Sequence, residues 1–260
     1  MNSKSQRIAA IIGYLKTNST CRIEDLADVF GVSTMTIRRD LDGLKKNNLI
    51  NVRTGTIFYN HSANTTNIPL LNYTLTDASP RMENEKDRIG AFAATLIKPN
   101  ETVIIDGGTT TLRLAQNLPA DIPFQALTYG VNILMELLRF QNVKVMFAGG
   151  FYHSEVQVFE SAEGVAFIDS LRSHKFFLSA AGINEDLGIT CYNNYEVPMK
   201  TKALKNSNEI ILLADSSKFN LVNIAYICSI DDIDTVITDE KLEEKWVRLL
   251  TDKGKNLYLV

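Results

Sequence analysis

Gly31-Val32-Ser33-Thr34-Met35-Thr36-Ile37-Arg38-Arg39-Asp40-Leu41 is the stretch on which the reading of this chain turns. Gly31 takes positive φ without steric cost, which suits a tight turn between two helices. Ser33 offers a hydroxyl to the free amides of a new helix. In that helix Ile37, Leu41 and Leu44 share one face. Met35, Arg39, Asp42 and Lys46 fall roughly opposite, with Arg38 and Lys45 on the flank. The helix therefore has an apolar seam for its neighbours and a basic, polar face for something else.

Upstream, Ile8, Ile11, Ile12 and Leu15 carry the spacing of a one-faced helix, and residues 17–20 break it. Leu26, Ala27 and Phe30 mark a second helix ending at Gly31. Two short helices, a glycine turn and a capped helix with an exposed arginine pair make a helix-turn-helix pattern. A three-helix module for binding another protein would show the same apolar seams. Downstream, residues 49–53 and 56–58 read as two strands about Thr54-Gly55, a hairpin wing that brings Arg53 into play.

The charge distribution favours a polyanion at this end. Residues 1–58 hold nine basic and five acidic side chains, a net of +4. The remainder holds 18 basic and 25 acidic, a net of −7, so the total of −3 conceals a basic head on an acidic body. In the major groove arginine pairs with guanine edges, while other basic residues hold phosphates. Ser33, Thr34, Met35, Thr36, Arg38, Arg39, Lys45, Lys46 and Arg53 are the expected DNA-facing residues. Asp40 would repel phosphate and is expected to orient an arginine instead.

Length and composition bound the rest. A chain of 260 residues, 45% hydrophobic and 22% charged, suits a small domain joined to a medium one. No apolar run approaches the ~20 residues of a membrane span, and the start of the chain has no apolar signal core. Cys21, Cys191 and Cys228 are far apart and lack a CxxC pair, so a reducing cytoplasm is expected and a disulfide framework is not. His61, His153 and His174 give no metal-ligand spacing, and neither metal nor cofactor is expected. A redox switch at Cys191 or Cys228 is a weaker reading than two structural thiols.

The division expected is a DNA-binding domain over 1–58, a linker and lead-in over 59–85, with polar residues 60–67 as its linker, and a larger second domain over 86–260. In the last part, strand signals at 102–105, 124–128, 143–147, 175–179, 210–214, 235–238 and 257–260 alternate with helical ones. Most are short continuous apolar runs, which predicts an α/β sandwich with a mainly parallel sheet. Ligands bind such sheets at strand C-terminal ends.

The first of those ends is Asp106-Gly107-Gly108-Thr109-Thr110-Thr111, running into a helix. Glycines, hydroxyls and a helix start suit an anion; a plain strand-to-helix turn would look similar. It is neither a Walker loop nor a dinucleotide fingerprint. Further strand ends carry Tyr129, Gly150 and Gly182, and Asp215-Ser216-Ser217-Lys218 follows the run at 210–214. Glu196 and Lys200, four apart, could be only a pair on a helix surface.

Two motif sets resemble one family. Val32-Ser33 with Thr36 to Leu41 matches the VS-x-x-TIRRDL pattern of the DeoR-type helix-turn-helix. DGGTTT, the FAGG ending at Gly150, the stretch from Glu196 to Lys200, and DSSKF resemble the DeoR sensor domain, which is similar to ribose-5-phosphate isomerase. The family usually shows Arg-x-His-Gly-Gly in the wing, where this chain keeps one glycine, Gly55. It often has glycine after SKF, where this chain has Asn220.

The resemblance implies a winged helix-turn-helix that binds double-stranded operator DNA as a homo-oligomer, and a sensor for a phosphorylated sugar. Gly108, Thr109, Thr110 and Thr111 would cradle the phosphate, with Gly107 beside them in the effector site, and Lys218 would neutralise it. Asp106 and Glu196 would accept from sugar hydroxyls, with Tyr129, Gly182, Lys200 and Asp215 around them. A sugar-phosphate isomerase carrying a DNA-binding head is the competing reading. It needs a base beside the carbonyl, and residues 176–184 contain no carboxylate.

Overall fold

The computed structural model describes residues 4–18, 20–46, 50–53, 55–59 and 74–260. The expected linker at 60–67 lies outside them. By contacts the chain divides into two compact units: Met1–Asn72 with Asn184–Gly188, and Tyr73–Ile183 with Ile189–Val260.

The head runs α1 (Lys4–Asn18), β1 (Thr20–Arg22), α2 (Ile23–Phe30), α3 (Thr34–Lys46), β2 (Ile50–Arg53) and β3 (Thr56–Tyr59). Its core is the apolar seam of each helix: Ile8, Ile11 and Leu15, then Ile23, Leu26 and Ala27, then Ile37, Leu41 and Leu44, all buried. Gly31 closes α2 at φ 63°, the left-handed turn that only glycine adopts without cost. Ser33 Oγ accepts from the Thr36 amide at 3.2 Å and so caps α3. Gly55, at φ 80°, makes the wing turn. The sequence shows a break where the structure has β1: residues 20–22 pair antiparallel with β3, giving a three-stranded sheet in the order β1-β3-β2.

The body runs α4 (Leu75–Ala78), α5 (Glu83–Ala94), β4 (Thr102–Ile105), α6 (Thr109–Gln116), β5 (Phe124–Thr128), α7 (Val131–Leu137), β6 (Val143–Phe147), β7 (Phe151–His153), β8 (Val158–Glu160), α8 (Ala162–Asp169), β9 (Ser173–Ser179), β10 (Gly182–Asn184), β11 (Gly188–Cys191), α9 (Val197–Lys205), β12 (Ser207–Leu213), β13 (Ala225–Cys228), β14 (Thr235–Thr238), α10 (Glu244–Asp252) and β15 (Asn256–Leu259). Seven strands form one sheet in the order β15-β14-β12-β9-β4-β5-β6, and every pairing in it is parallel.

Continuous apolar runs make sense here because alternate side chains enter two different cores. Ile104, Phe176, Leu178, Ile210, Leu212 and Val236 pack with α8, α9 and α10 through Ile168, Met199, Ala203, Trp246 and Leu250. Val103, Ile105, Phe177, Ile211, Leu213 and Ile237 pack with α5, α6 and α7 through Ile89, Ala93, Leu114, Ile133 and Leu137. Among the described residues, no helix is long and apolar enough to cross a membrane.

Two small antiparallel sheets lie outside the predicted pattern: the β7–β8 hairpin and the sheet β10-β11-β13. Their strands are three or four residues long, too short to leave a clear alternation. Strand order reverses between β4 and β9. From β4 the chain steps outward to β5 and β6; from β9 it steps the other way to β12, β14 and β15.

Candidate functional site

The crevice between β4 and β9 is where a sheet of this type receives a ligand, because the loops leaving the two strands diverge there. Asp106 follows β4 and Ser179 ends β9. Asp106 is fully buried. Its Oδ2 accepts from the Ser179 amide (2.9 Å), Ser179 Oγ (2.6 Å) and Lys200 Nζ (2.5 Å), and its Oδ1 accepts from Tyr129 Oη (2.5 Å). Four donors occupy the carboxylate. The Asp106 oxygens, expected to meet sugar hydroxyls, are thus engaged within the protein, where they pin β4 to β5, β9 and α9.

Tyr129 and Lys200 belong to the same cluster. The Glu196–Lys200 pair is not a surface pair: both side chains are buried, 3.7 Å apart. Burial works against the Lys200 ammonium, but Asp106 and then Glu196 overcome it and raise its pKa. Burial raises the Glu196 carboxyl, Lys200 offsets part of this, and Asp106 adds to the rise. Glu196 Oε1 also accepts from the Asn193 amide and side chain, each at 3.1 Å, which locks the turn before α9.

Gly107 and Gly108 have packing reasons to be glycine. A Cβ on Gly107 would lie 2.4 Å from Val158 in β8, and one on Gly108 would lie 2.7 Å from Ser179. Gly108 leads into α6, so Thr109, Thr110 and Thr111 form its first turn, all buried. The helix start has no side-chain cap, and Thr111 Oγ1 has no hydrogen-bond partner among the described residues. Gly182 is equally tight, its missing Cβ 2.7 Å from the Leu221 carbonyl.

At the end of β12, Asp215 is fully buried, and its Oδ1 accepts from the Ser217 amide at 3.1 Å. Its Oδ2 lies 3.5 Å from the Lys218 ammonium, which is partly exposed. Asn220 takes the left-handed conformation, φ 65°. Asparagine tolerates that region better than most residues, so it can replace the glycine usual in the family. Its side chain is also used, accepting from Trp246 Nε1 at 3.0 Å and donating to Glu243 at 2.9 Å.

Sequence reasoning missed the buried ammonium of Lys86. Lys86, on the first turn of α5, is 1% exposed. Burial depresses its ammonium to about 8, and the nearby charge of Lys218 adds to the fall; Asp215 partly opposes this, and Arg113 and Arg81 also disfavour the charge. A buried lysine that reads as part of an ordinary helix gives no signal in sequence, since only the tertiary fold removes it from water.

In the head, the face of α3 opposite the core is open: Ser33, Thr34, Arg38, Arg39 and Lys45 are exposed, as is Met35 at 60%. Thr36 is half-buried, its hydroxyl 2.9 Å from Ser33 Oγ. The side chains of Lys46 and Arg53 lie outside the described residues. Asp40 is 2% exposed and accepts from Arg7 Nε (2.6 Å) and Nη2 (3.1 Å). The arginine it orients is therefore on α1, while Arg38 and Arg39 face outward. Burial raises the Cys191 and Cys228 thiols well above the usual range and Cys21 to about 11, which disfavours the reactive thiolate.

Comparison with known proteins agrees across the chain. Residues 7–63 match the DeoR-like helix-turn-helix domain and residues 81–240 the DeoR C terminal sensor domain. The deoxyribose operon repressor of Escherichia coli (strain K12) is 30% identical, covering 98% of each chain. The HTH-type transcriptional regulator GolR of Listeria innocua is 30% identical, covering 96% of each. Among solved structures, ribose 5-phosphate isomerase A from Methanocaldococcus jannaschii overlaps 53% of this chain and 55% of its own, at 14% identity and a TM-score of 0.41. The full-length relatives are regulators rather than enzymes, and with both domains matched the chain belongs to the DeoR family of DNA-binding transcriptional regulators.

Proposed function

We propose that this regulator represses a carbohydrate-utilisation operon and is released from operator DNA by a phosphorylated sugar. One observation carries the effector assignment: the buried Lys86 ammonium, disfavoured by the charge of Lys218, has only the neutral Ala78 carbonyl, at 2.7 Å, as its hydrogen-bond acceptor. Cations brought together against their own repulsion favour an anion. The uncapped start of α6, with Thr109, Thr110 and Thr111, suits the same group.

In this reading Lys218, Lys86 and the first turn of α6 hold the phosphate. Glu196 meets a sugar hydroxyl. Asp106, Tyr129 and Lys200 keep the strand ends in place behind it, while Gly107, Gly108 and Gly182 permit close packing. Asp215 orients Lys218. In the head, Thr34, Met35, Arg38 and Arg39 read the groove. Ser33 and Thr36 hold the start of the recognition helix, and Lys45, Lys46 and Arg53 meet backbone phosphates.

Residues 1–58 would act as the DNA-binding domain, 59–85 as linker and lead-in, and 86–260 as the sensor. The protein would act in the cytoplasm as a homo-oligomer, because a single head of this size seldom supplies enough specific affinity. The effector works only through its different affinity for the two states of that assembly.

The test is a thermal-shift screen of pentose, deoxypentose and hexitol phosphates, followed by footprinting of the neighbouring promoter with each hit. A sugar phosphate that raises the melting temperature and clears the footprint is the expected result. If no compound alters either, the effector assignment fails.

A further inference from the structure

The first element of the body, α4, is a single turn held at both ends by groups that also reach the site. At its start, the Leu75 amide donates to the Glu155 carbonyl at 2.7 Å, in the turn of the β7–β8 hairpin. The Glu155 carboxylate accepts from Tyr195 Oη at 2.6 Å, and Tyr195 directly precedes Glu196. The Tyr195 ring lies flat against His153, centroids 3.6 Å apart. At the end of α4, the Lys86 ammonium donates to the Ala78 carbonyl at 2.7 Å.

Lys86 is poorly compensated there. It is buried, and the acceptor it meets is a neutral carbonyl. Lys218, Arg113 and Arg81 all disfavour its charge, against the favourable influence of Asp215. A hydrogen bond to an anionic oxygen is roughly twice as strong as one between neutral groups, so a phosphate within reach outcompetes a backbone carbonyl for the same ammonium.

We propose that Lys86 couples anion capture to the chain that leads to the head: a phosphate held by Lys86 and Lys218 draws the ammonium off the Ala78 carbonyl and frees the end of α4. The proposal rests on the effector reading above. One helical turn cannot sustain itself, so losing one of two clasps changes its order. Leu75–Ala78 is the first element of the body, so the change falls where the chain enters it. The second clasp, through Glu155 and Tyr195, remains and keeps Leu75 in place.

Hydrogen exchange on the full chain tests this. The reporters are the amides of Ser79, which donates to Leu75, and Arg81, which donates to Ala78. Ribose 5-phosphate and inorganic phosphate serve as probes, at concentrations that saturate the thermal shift. Exchange of both amides is expected to quicken several-fold with a probe. In Lys86→Met it should be fast without a probe and unchanged by one.

A probe that raises the melting temperature but leaves these amides unchanged overturns the coupling and spares the anion site. Wild-type protection in Lys86→Met also overturns it. If no sugar phosphate binds, the effector reading falls and takes the coupling with it. Should Lys86→Met not fold, the wild-type comparison with and without probe decides alone.

Discussion

Lys200 reaches from α9 across the end of β9 to Asp106, 2.5 Å away, and both side chains are almost wholly removed from water, at 2% and 0% exposure. A buried ion pair of this sort gains little net stability over an apolar substitute, yet breaking it from one side leaves a charge without its partner. Lys200→Met is therefore expected to destabilise the body by about 3–5 kcal/mol in chemical denaturation. Asp106→Asn should also destabilise the body, because the single amide oxygen can replace Oδ2 toward Ser179 or Oδ1 toward Tyr129 but not both, and Lys200 keeps only Glu196 as a carboxylate partner. A loss below ~1 kcal/mol in Lys200→Met would show that the pair is not a structural hub.

Asp40 and its neighbours Arg38 and Arg39 should separate stability from DNA binding. Arg38→Ala and Arg39→Ala remove exposed side chains, so the head should melt as before while each loses about 1–3 kcal/mol of operator affinity if it reads a base. Asp40→Ala should do the reverse at first, unfolding the head more easily because Arg7 loses its bidentate partner. Gel shifts and thermal melts on the three variants check this. Unchanged operator binding in both arginine variants would remove α3 from the groove.

Lys218→Ala should leave operator binding intact and abolish the response to the effector. The side chain is partly exposed at the end of β12, so its loss is not expected to unfold the body. Footprints with and without the sugar phosphate found by screening measure it. A normal response in this variant would move the phosphate away from the end of β12.

Lys86 should give both stability and binding a pH signature. Its folded pKa is depressed to about 8 from the usual 10.5. Between those values the unfolded chain holds the proton and the folded chain does not, so the stability contributed by this group rises with pH across that window. Below about 8 the full penalty of the buried charge is present. A bound phosphate favours the ammonium, so binding should take up a proton near pH 8 and weaken above it. Calorimetric titrations in buffers of different ionisation heat read the uptake. Equal uptake in wild type and Lys86→Met would exclude Lys86 as its source.

Much of the protein is written locally. The seams of α1, α2 and α3, the Gly31 turn and the Ser33 cap are set by residues a few positions apart, and local spacing is what a sequence records best. The seven strands of the parallel sheet are likewise legible, since both faces are covered and each strand is a short apolar run. The β7–β8 hairpin, β1 and the sheet β10-β11-β13 are not, because three- and four-residue strands carry almost no period.

For the site the division is sharper. Sequence by itself determined that a basic helix-turn-helix stands before an acidic α/β body, and that polar loops rich in glycine and threonine end its strands. Only the tertiary structure decided what those loops touch. Asp106 accepts from Tyr129, Ser179 and Lys200, residues 23 to 94 positions away. Glu196 and Lys200 look like a solvated pair until α9 is laid against the sheet. Lys86 looks like one more charged residue in a helix until α5 packs on the sheet and buries it. The physical reason is common to all three: a side chain's charge is local, but its solvation and its neighbours' charges are set by contacts distant in sequence.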